Sequence, residues 1–277
     1  IPNELSKLIP KIIDSNQSEK PFLKLEYIKH PTLAELWLYS DFSSKLWVEI
    51  LENLFKILKQ FNEHPKFVSV DDYNLIYKTK TEERINDLIS SNEYFKRILK
   101  EDTLLINGKK YHNWSVIKKQ IELKIRDLYH EQDNCLTHGD LCFSNIFCNF
   151  KNKDFKLIDP RGKWGSDMYG DLKYDVAKLR HSIVGGFDTI TNGLYSTSLS
   201  GNNQITVKIF KPKNYQEICA HLDNLIKSKW NLDEIKLIEG LLFISMLPLH
   251  KDHFERQLAF YSIGIQRLNE VLDKTDE

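Results

Sequence analysis

Apolar residues recur every three to four positions along most of the chain, which is the spacing of an amphipathic helix. A long helix is predicted around Leu46, Ile50, Leu54 and Phe61, which share one apolar face. The same period predicts further helices from residue 32 and over 81–99, 114–131, 172–184, 214–227, 233–247 and 252–272. The pattern therefore indicates a largely helical protein.

Short strands are predicted in two places. Residues 9–14 and 22–28 are short apolar segments joined by a polar turn, and 135–150 and 154–158 are strand-like and joined by another. Residues 192–203 are rich in Ser, Thr, Asn and Gly and are predicted to form a mobile loop. We expect an α+β fold in which a helical body carries one small hairpin in its middle.

Composition excludes several classes of protein. The 277 residues contain 39 Lys and Arg and 39 Asp and Glu, so the net charge is zero, unlike the basic excess typical of nucleic-acid binders. The sequence has no apolar run long enough for a membrane helix and no signal-peptide pattern at its start. We expect a cytoplasmic protein with no nucleic-acid or membrane partner and four reduced cysteines, and the oligomeric state stays open.

The candidate chemistry lies in the middle of the chain. His138, Gly139 and Asp140 precede Asn145 in the pattern H-G-D-x-x-x-x-N, and Asp159 ends the apolar run that follows. A hairpin would bring Asp140, Asn145 and Asp159 to one end, where two oxygen ligands can hold Mg²⁺ and Asp140 can accept a hydroxyl proton. Each residue alone is typical of a turn, but the joint pattern favours a site for phosphoryl transfer.

This motif resembles that of the aminoglycoside phosphotransferase and choline kinase superfamily, which has the protein-kinase-like fold. The resemblance implies an ATP- and Mg²⁺-dependent kinase that phosphorylates a hydroxyl of a small molecule. It makes Asp140 the catalytic base and Asn145 and Asp159 the metal ligands, and His138 holds the loop in place. A mainly helical C-terminal lobe with a catalytic-loop β-hairpin is the architecture that it implies.

Two further segments fit the resemblance. Asp171 and Asp175 match a downstream D-x-x-x-D-[LV]-A pattern, in which Asp175 braces the catalytic loop; helix capping is the alternative for both. Near the start, Glu26, Tyr27 and Ile28 resemble the hinge between kinase lobes, where main-chain groups bind adenine.

The front of the smaller kinase lobe is not recognisable. About 25 residues precede the predicted hinge, and they contain no glycine for a nucleotide-covering loop. Three strands and a helix need about 30 residues before any loops. We therefore expect residues 1–30 to be a remnant of a truncated N-terminal lobe with the hinge. Residues 31–277 are expected to form the helical C-terminal catalytic lobe, with an insert at about 66–112.

Substrate contacts are predicted at four residues. Arg161 follows the metal aspartate and is placed to contact an anionic group, with a surface ion pair as the alternative. Trp164 could flank a substrate, although core packing is the favoured interpretation. The D-P-R-G and L-P-L-H segments look like those of kinase-like proteins associated with bacterial capsule or lipopolysaccharide synthesis genes. That resemblance adds His250 and Arg256 as substrate contacts.

The sequence leaves several functions open. The phosphoryl acceptor could be a sugar, a choline-like amino alcohol or a capsule precursor. A protein kinase is disfavoured by H-G-D and by the lack of an A-P-E segment after Asp159. A pseudokinase or non-catalytic nucleotide-binding module is favoured by the missing front of the small lobe. It is disfavoured because Asp140, Asn145 and Asp159 are all present.

Overall fold

The computed structural model describes residues 2–165 and 167–273. The α-helices of these residues are α1 (Leu33–Tyr39), α2 (Ser44–Asn62), α3 (Val70–Tyr73), α4 (Lys80–Ser91), α5 (Glu93–Ile98), α6 (Trp114–Arg126), α7 (Leu172–Ile183), α8 (Phe187–Thr191), α9 (Tyr215–Lys227), α10 (Leu232–Ser245) and α11 (Phe254–Leu272). The strands are β1 (Ile12–Asn16), β2 (Phe22–Leu25), β3 (Thr103–Ile106), β4 (Lys109–His112), β5 (Asn134–Leu136), β6 (Ile146–Asn149), β7 (Asp154–Leu157), β8 (Tyr169–Asp171), β9 (Tyr195–Ser200) and β10 (Gln204–Ile209). The expected α+β class is confirmed.

The centre of the molecule is a packed group of helices. Helix α10 packs against α11 and α7, and every residue of α7 is buried. The sequence of α10 is apolar on nearly all sides, which suits a helix that is covered all round. The functional motifs therefore lie on loops supported by rigid helices.

The predicted helices are present, and one of them is divided into two shorter helices. The predicted 81–99 segment breaks at Asn92, whose side chain accepts hydrogen bonds from the backbone N–H groups of Tyr94 and Phe95. Asn92 is thereby the N-cap of α5, a position that asparagine favours. Ahead of α4, the backbone of Asn74–Thr79 forms a π-helical stretch.

The prediction of a mobile loop over 192–203 is wrong. Strand β9 occupies half of it and pairs antiparallel with β10, and the turn between them contains Gly201 with a φ of 62°. Strand β10 buries Ile205 and Val207 on one face, whereas β9 is a half-exposed edge strand rich in Ser and Thr. The polar composition of β9 is therefore that of an edge strand. Polarity alone does not distinguish such a strand from a loop.

The β9–β10 pair belongs to a four-stranded sheet in the order β4-β3-β10-β9. Strands β3 and β4 form a hairpin inside the 66–112 segment, and β10 runs parallel to β3. The side chain of Asn107, in the β3–β4 turn, both donates to and accepts from the backbone of Val207. The expectation of a single hairpin in a helical body is therefore wrong.

The central hairpin is present as β6 paired with β7, in the register Ile146 opposite Leu157. Strand β5 pairs instead with β8, so the loop between β5 and β6 passes from one small sheet to another. The segment before α1 also contacts this hairpin, because the backbone N–H of Cys148 donates to the carbonyl of Pro31. The hairpin β1–β2 near the start is exposed along its length.

Within the described ranges, we find no helix long and apolar enough to cross a membrane.

Candidate active site

The loop between β5 and β6 carries the H-G-D motif, and α7 holds it from behind. The backbone N–H groups of His138 and Gly139 donate to the two carboxylate oxygens of Asp175, at 2.7 and 2.8 Å. Asp175 is fully buried in the first turn of α7. One carboxylate thus satisfies two consecutive buried donors and fixes the backbone immediately before Asp140.

Gly139 is required by both backbone conformation and space. Its φ is +77°, in the left-handed region, and a Cβ there would lie 2.7 Å from the Cβ of Arg161. The backbone N–H of Arg161 donates to the carbonyl of His138 at 2.9 Å. The stem of Arg161 therefore lies directly against the loop, and only glycine allows this approach.

The carboxylate of Asp140 has a different neighbour at each oxygen. Oδ1 lies 2.7 Å from the ammonium of Lys178 on α7, and Oδ2 accepts from Asn145 Nδ2 at 3.3 Å. Asn145 Nδ2 also donates to the backbone carbonyl of Asp140 at 2.9 Å. The carboxylate is oriented from both sides yet 38% exposed, so a hydroxyl from solvent can reach it.

His138 supports the same loop from within. It is buried, and its Nδ1 accepts a hydrogen bond from the backbone N–H of Asp140 at 3.3 Å. Burial lowers the pKa of His138, although the charge of Asp140 opposes this shift. A neutral imidazole is the form that can accept at Nδ1, so this residue holds the loop through a hydrogen bond.

Two oxygen donors are left beside Asp140. Because Asn145 uses its amide nitrogen for Asp140, its Oδ1 is available to a ligand. The backbone N–H of Ile158 donates to the carbonyl of Asn145 at 3.0 Å, which places the following residue, Asp159, close to it. Asp159 is exposed, has a φ of 54° and forms no side-chain hydrogen bond or ion pair with another described residue.

This donor set suits Mg²⁺, which typically takes one or two protein oxygens together with water and phosphate oxygens. The part of the chain that the structure describes contains no group of three or more His, Cys, Asp or Glu arranged for a metal. The Asn145 and Asp159 pair is of another kind, with one amide and one carboxylate oxygen. The residues present therefore fit the predicted cation.

Asp171 and Asp175 have different structural functions. Asp171 is the N-cap of α7, accepting from the backbone N–H of Lys173 and from the Tyr77 hydroxyl, both at 2.9 Å. The capping alternative therefore describes Asp171, whereas Asp175 contacts the catalytic loop. Burial raises the pKa of each carboxyl to about 7.

Three site residues were missed by sequence reasoning: Lys80, Tyr174 and Lys178. Lys178 follows Asp175 by three positions, the spacing that puts two residues on one helix face, and this signal could have identified it. The phenol of Tyr174 accepts from Lys80 Nζ at 3.4 Å and from Arg161 Nη1 at 2.9 Å. No signal in the sequence connects Lys80 to the motif.

The predicted hinge residues lie beside a cavity of about 600 Å³. Ile28 lines it, Tyr27 is 85% exposed, and Glu26 pairs with Lys156 at 2.6 Å and donates its backbone N–H to Lys11. Five lysines line this cavity, against one carboxylate, Asp154: Lys7, Lys11, Lys56, Lys153 and Lys156. Its lining also includes Phe147 of β6, but not Asp140, Asn145 or Asp159.

The structure corrects the prediction that Trp164 flanks a substrate. It is 1% exposed and packs edge-on against Tyr73, Tyr77 and Tyr174, with ring centroids 5.1, 5.7 and 6.4 Å away. A side chain enclosed by other aromatic rings offers no face to a ligand. Packing, the alternative for this residue, is what the structure shows.

His250 and Arg256 lie next to each other. Arg256 Nη1 lies 3.4 Å from His250 Nδ1, and the ring of His250 packs against Phe260. Neither residue forms a hydrogen bond or ion pair with Asp140, Asn145 or Asp159 in the described ranges. Arg161 contacts the motif directly, and the role of His250 and Arg256 as substrate contacts stays a prediction.

Comparisons with known proteins gave only structural likenesses, since no family model and no curated protein matches the sequence. One solved structure similar to this chain is an aminoglycoside-3'-phosphotransferase of type VIII, with 15% identity and a TM-score of 0.45 over 96% of this chain and 75% of that one. Another is a choline kinase from Cryptosporidium parvum, with 15% identity and a TM-score of 0.41 over 97% and 73%. A third is an ethanolamine kinase from Plasmodium vivax, with 15% identity and a TM-score of 0.45 over 96% and 68%.

The first two are of the types named by the motif resemblance.

Proposed function

We propose that this protein is an ATP- and Mg²⁺-dependent kinase that phosphorylates a hydroxyl of a small molecule. One observation carries the proposal: the carboxylate of Asp140 is held between Lys178 and Asn145, with the free oxygens of Asn145 and Asp159 beside it. A binding module needs no proton acceptor that is both oriented and accessible. Phosphoryl transfer needs one, together with ligands for a cation that neutralises phosphate charge.

The proposed reaction uses the residues as the structure arranges them. The acceptor hydroxyl gives its proton to Asp140, and its oxygen attacks the γ-phosphorus of ATP as the bond to ADP breaks. Asn145 and Asp159 would hold the Mg²⁺ that neutralises the charge on the phosphates. His138, Asp175 and Lys178 keep the loop and the base in position throughout.

We place the nucleotide next to the predicted hinge. The cavity lined by Ile28 has the volume of a typical small-molecule site. Lys153 and Lys156 pair with Glu49 and Glu26, which leaves Lys7, Lys11 and Lys56 for a triphosphate. The β6 residue Phe147, which also lines it, is two positions after Asn145. In this proposal residues 1–30 contribute to the nucleotide lobe, and 31–277 form the catalytic lobe.

An Asp140→Asn substitution tests the catalytic base. We expect turnover to fall by ~10²- to 10⁴-fold, the usual contribution of general base catalysis, with ATP affinity unchanged. Asp127→Asn, at an exposed helix C-cap, is the matched control and should leave both unchanged. Normal turnover in Asp140→Asn would exclude the function assigned to Asp140.

An Asp159→Ala substitution tests the metal site independently of turnover. Calorimetric titration with ATP should show binding that strengthens with Mg²⁺ in the unmodified protein and loses this dependence in the variant. The Asp127→Asn control should keep it. If Asp159→Ala retains the full Mg²⁺ dependence, the assignment of the cation to this residue is wrong.

A further inference from the structure

Three cationic side chains meet around one phenol beside the proposed catalytic base. Lys80 and Arg161 both donate to the hydroxyl oxygen of Tyr174, and the guanidinium of Arg161 also lies 5.6 Å from the centre of its ring. Lys178, on the helix that carries Tyr174, completes the group through its ion pair with Asp140. We name Lys80, Arg161 and Lys178 the cation cluster.

The cluster has more positive charge than its surroundings balance. Lys178 is paired with Asp140, but Lys80 and Arg161 form no ion pair with any carboxylate among residues 2–165 and 167–273. Burial lowers the pKa of Lys80, the Tyr174 oxygen raises it, and the charges of Arg161 and Lys178 lower it further. Lys80 is half-buried and Arg161 is exposed, so both can donate to a negative group supplied from outside without first losing a carboxylate partner.

The titration behaviour of the cluster agrees with its geometry. Burial lowers the pKa of Lys80. For Tyr174 the burial contribution raises the pKa, yet the charges of Lys80, Lys178 and Arg161 outweigh it, and the net shift is downward. A buried phenol shifted in this direction lies in a strongly positive potential.

The cluster reaches Asp140 through Lys178, which contacts Oδ1, whereas Asn145 contacts Oδ2. Arg161 is exposed, so the cluster is open to a ligand from solvent, and Lys80 is placed there by the π-helical stretch just before it.

We propose that the phosphoryl acceptor is an alcohol that carries an anionic group, a carboxylate or a phosphate, bound by Lys80 and Arg161. The inference rests on the proposed kinase function and adds the class of its substrate. An amino alcohol such as a choline-like compound would bring a third positive charge to two unpaired cations, and a neutral alcohol would leave them unpaired. Charge-assisted hydrogen bonds from Arg and Lys are the strong ones for carboxylate and phosphate.

Four small alcohols of similar size test the preference: glycerol, the cationic serinol, glycerate and glycerol 3-phosphate. Their dissociation constants are measured by calorimetry at constant ionic strength, with ATP absent. We expect glycerate or glycerol 3-phosphate to bind at least ~10-fold more tightly than glycerol, and serinol to bind more weakly than glycerol. Whichever of glycerate and glycerol 3-phosphate binds more tightly shows whether the site prefers a carboxylate or a phosphate. Equal affinity for all four, or no binding of either anion, overturns the proposal.

Substitutions locate the anion. Lys80→Met and Arg161→Gln should each weaken binding of the preferred anion by ~10- to 100-fold without changing the affinity for glycerol. Lys78→Met is the matched control, since Lys78 lies two positions earlier and pairs with Glu122 instead. If both variants bind the anion as the unmodified protein does, the anion lies elsewhere and the proposal fails.

The failure of this inference can be separated from that of the kinase function. Mg²⁺-dependent ATP binding, and its loss in Asp159→Ala, are measured on the same preparation and involve neither Lys80 nor Arg161. If these hold while the four alcohols bind alike, only the anionic acceptor is excluded. If ATP binding shows no Mg²⁺ dependence, the kinase function itself is excluded.

Discussion

Lys178 and Asp140 form an ion pair of 2.7 Å that joins the middle of helix α7 to the loop between β5 and β6. One turn earlier on the same helix, Asp175 accepts two backbone hydrogen bonds from that loop. Residues three apart lie on one helix face, so a single rigid surface positions both the loop backbone and the side chain of Asp140. Because α7 is buried along its whole length, Asp140 is supported by the core of the protein.

Lys178→Met is expected to lower kcat by ~10- to 100-fold with little change in ATP affinity, because Asp140 loses the partner that orients it. Steady-state kinetics with a saturating acceptor measure the effect. Lys236→Met is the control, since Lys236 on helix α10 also pairs with a carboxylate, but with that of Glu270 and not with Asp140. A change in KM without a change in kcat would contradict positioning by Lys178.

Asp175→Asn is expected to lower the free energy of unfolding by about 1–3 kcal/mol. The amide offers one acceptor oxygen to the N–H groups of His138 and Gly139, and its NH₂ would face the other donor. Urea denaturation measures the loss, with the exposed Asp127→Asn as control. If the variant is as stable as the unmodified protein, the two hydrogen bonds do not hold the loop.

Gly139→Ala and Gly162→Ala form a matched pair. Both glycines have positive φ values, +77° and +76°, but only at Gly139 does a new Cβ meet another atom, the Cβ of Arg161. We expect Gly162→Ala to cost about 1–2 kcal/mol through backbone strain, and Gly139→Ala to cost about 1–3 kcal/mol more through the collision. Denaturation of both variants checks this.

The collision can be tested on its own. Adding Arg161→Gly to Gly139→Ala should recover part of the stability that Gly139→Ala loses, because the clashing atom is removed. Gly139→Ala and Gly162→Ala could lose the same unfolding free energy, and the double variant could recover none of it. That result would show that Arg161 does not pack against the loop.

Asp171 should make stability depend on pH. Burial raises its pKa from 3.8 to about 7, so its contribution to stability is fully present below pH 3.8 and is lost as pH rises through 7. Between pH 5 and 8 the unmodified protein should lose about 2–3 kcal/mol of unfolding free energy relative to Asp171→Asn. Urea denaturation at both pH values gives this difference, in which other titrating groups largely cancel.

The difference in unfolding free energy between the unmodified protein and Asp171→Asn could instead stay constant with pH, or change in favour of the unmodified protein. Either result would show that Asp171 is ionised throughout this range. The hydroxyl of Tyr77 and the nearby charge of Lys173 are the groups that would keep it so.

The helices were predictable because their signal is local. Apolar periodicity identified α2, α9, α10 and α11 to within a few residues. Strand β9 was not predictable in this way, because its pairing with β10 and the parallel contact of β10 with β3 are non-local. The β3–β4 hairpin did have a local signal, the Asn107-Gly108 turn, which favours a two-residue connection.

The residues of the candidate site likewise divide into those with a local sequence signal and those without one. The H-G-D-x-x-x-x-N motif identified Asp140 and Asn145 because they lie on one continuous loop, and the structure brings Asp159 to them through the β6–β7 hairpin. Lys80 reaches Tyr174 from a distant helix, and no spacing in the sequence indicates that contact. The burial of Trp164 was not predictable either, because it depends on tertiary packing. Tyrosines from other elements enclose its ring.

The pairing of β3 with β10 limits how this protein can be recombined with others. The turn at Asn107 and the backbone of Val207 satisfy each other's hydrogen bonds, and Asn203 donates to the carbonyl of Thr103. A chimera that exchanges the β3–β4 hairpin alone would leave these groups without partners, as would one that exchanges β9–β10 alone. The β3–β4 and β9–β10 hairpins are about 100 residues apart in the chain, yet they form one structural unit. A chimera has to exchange them together.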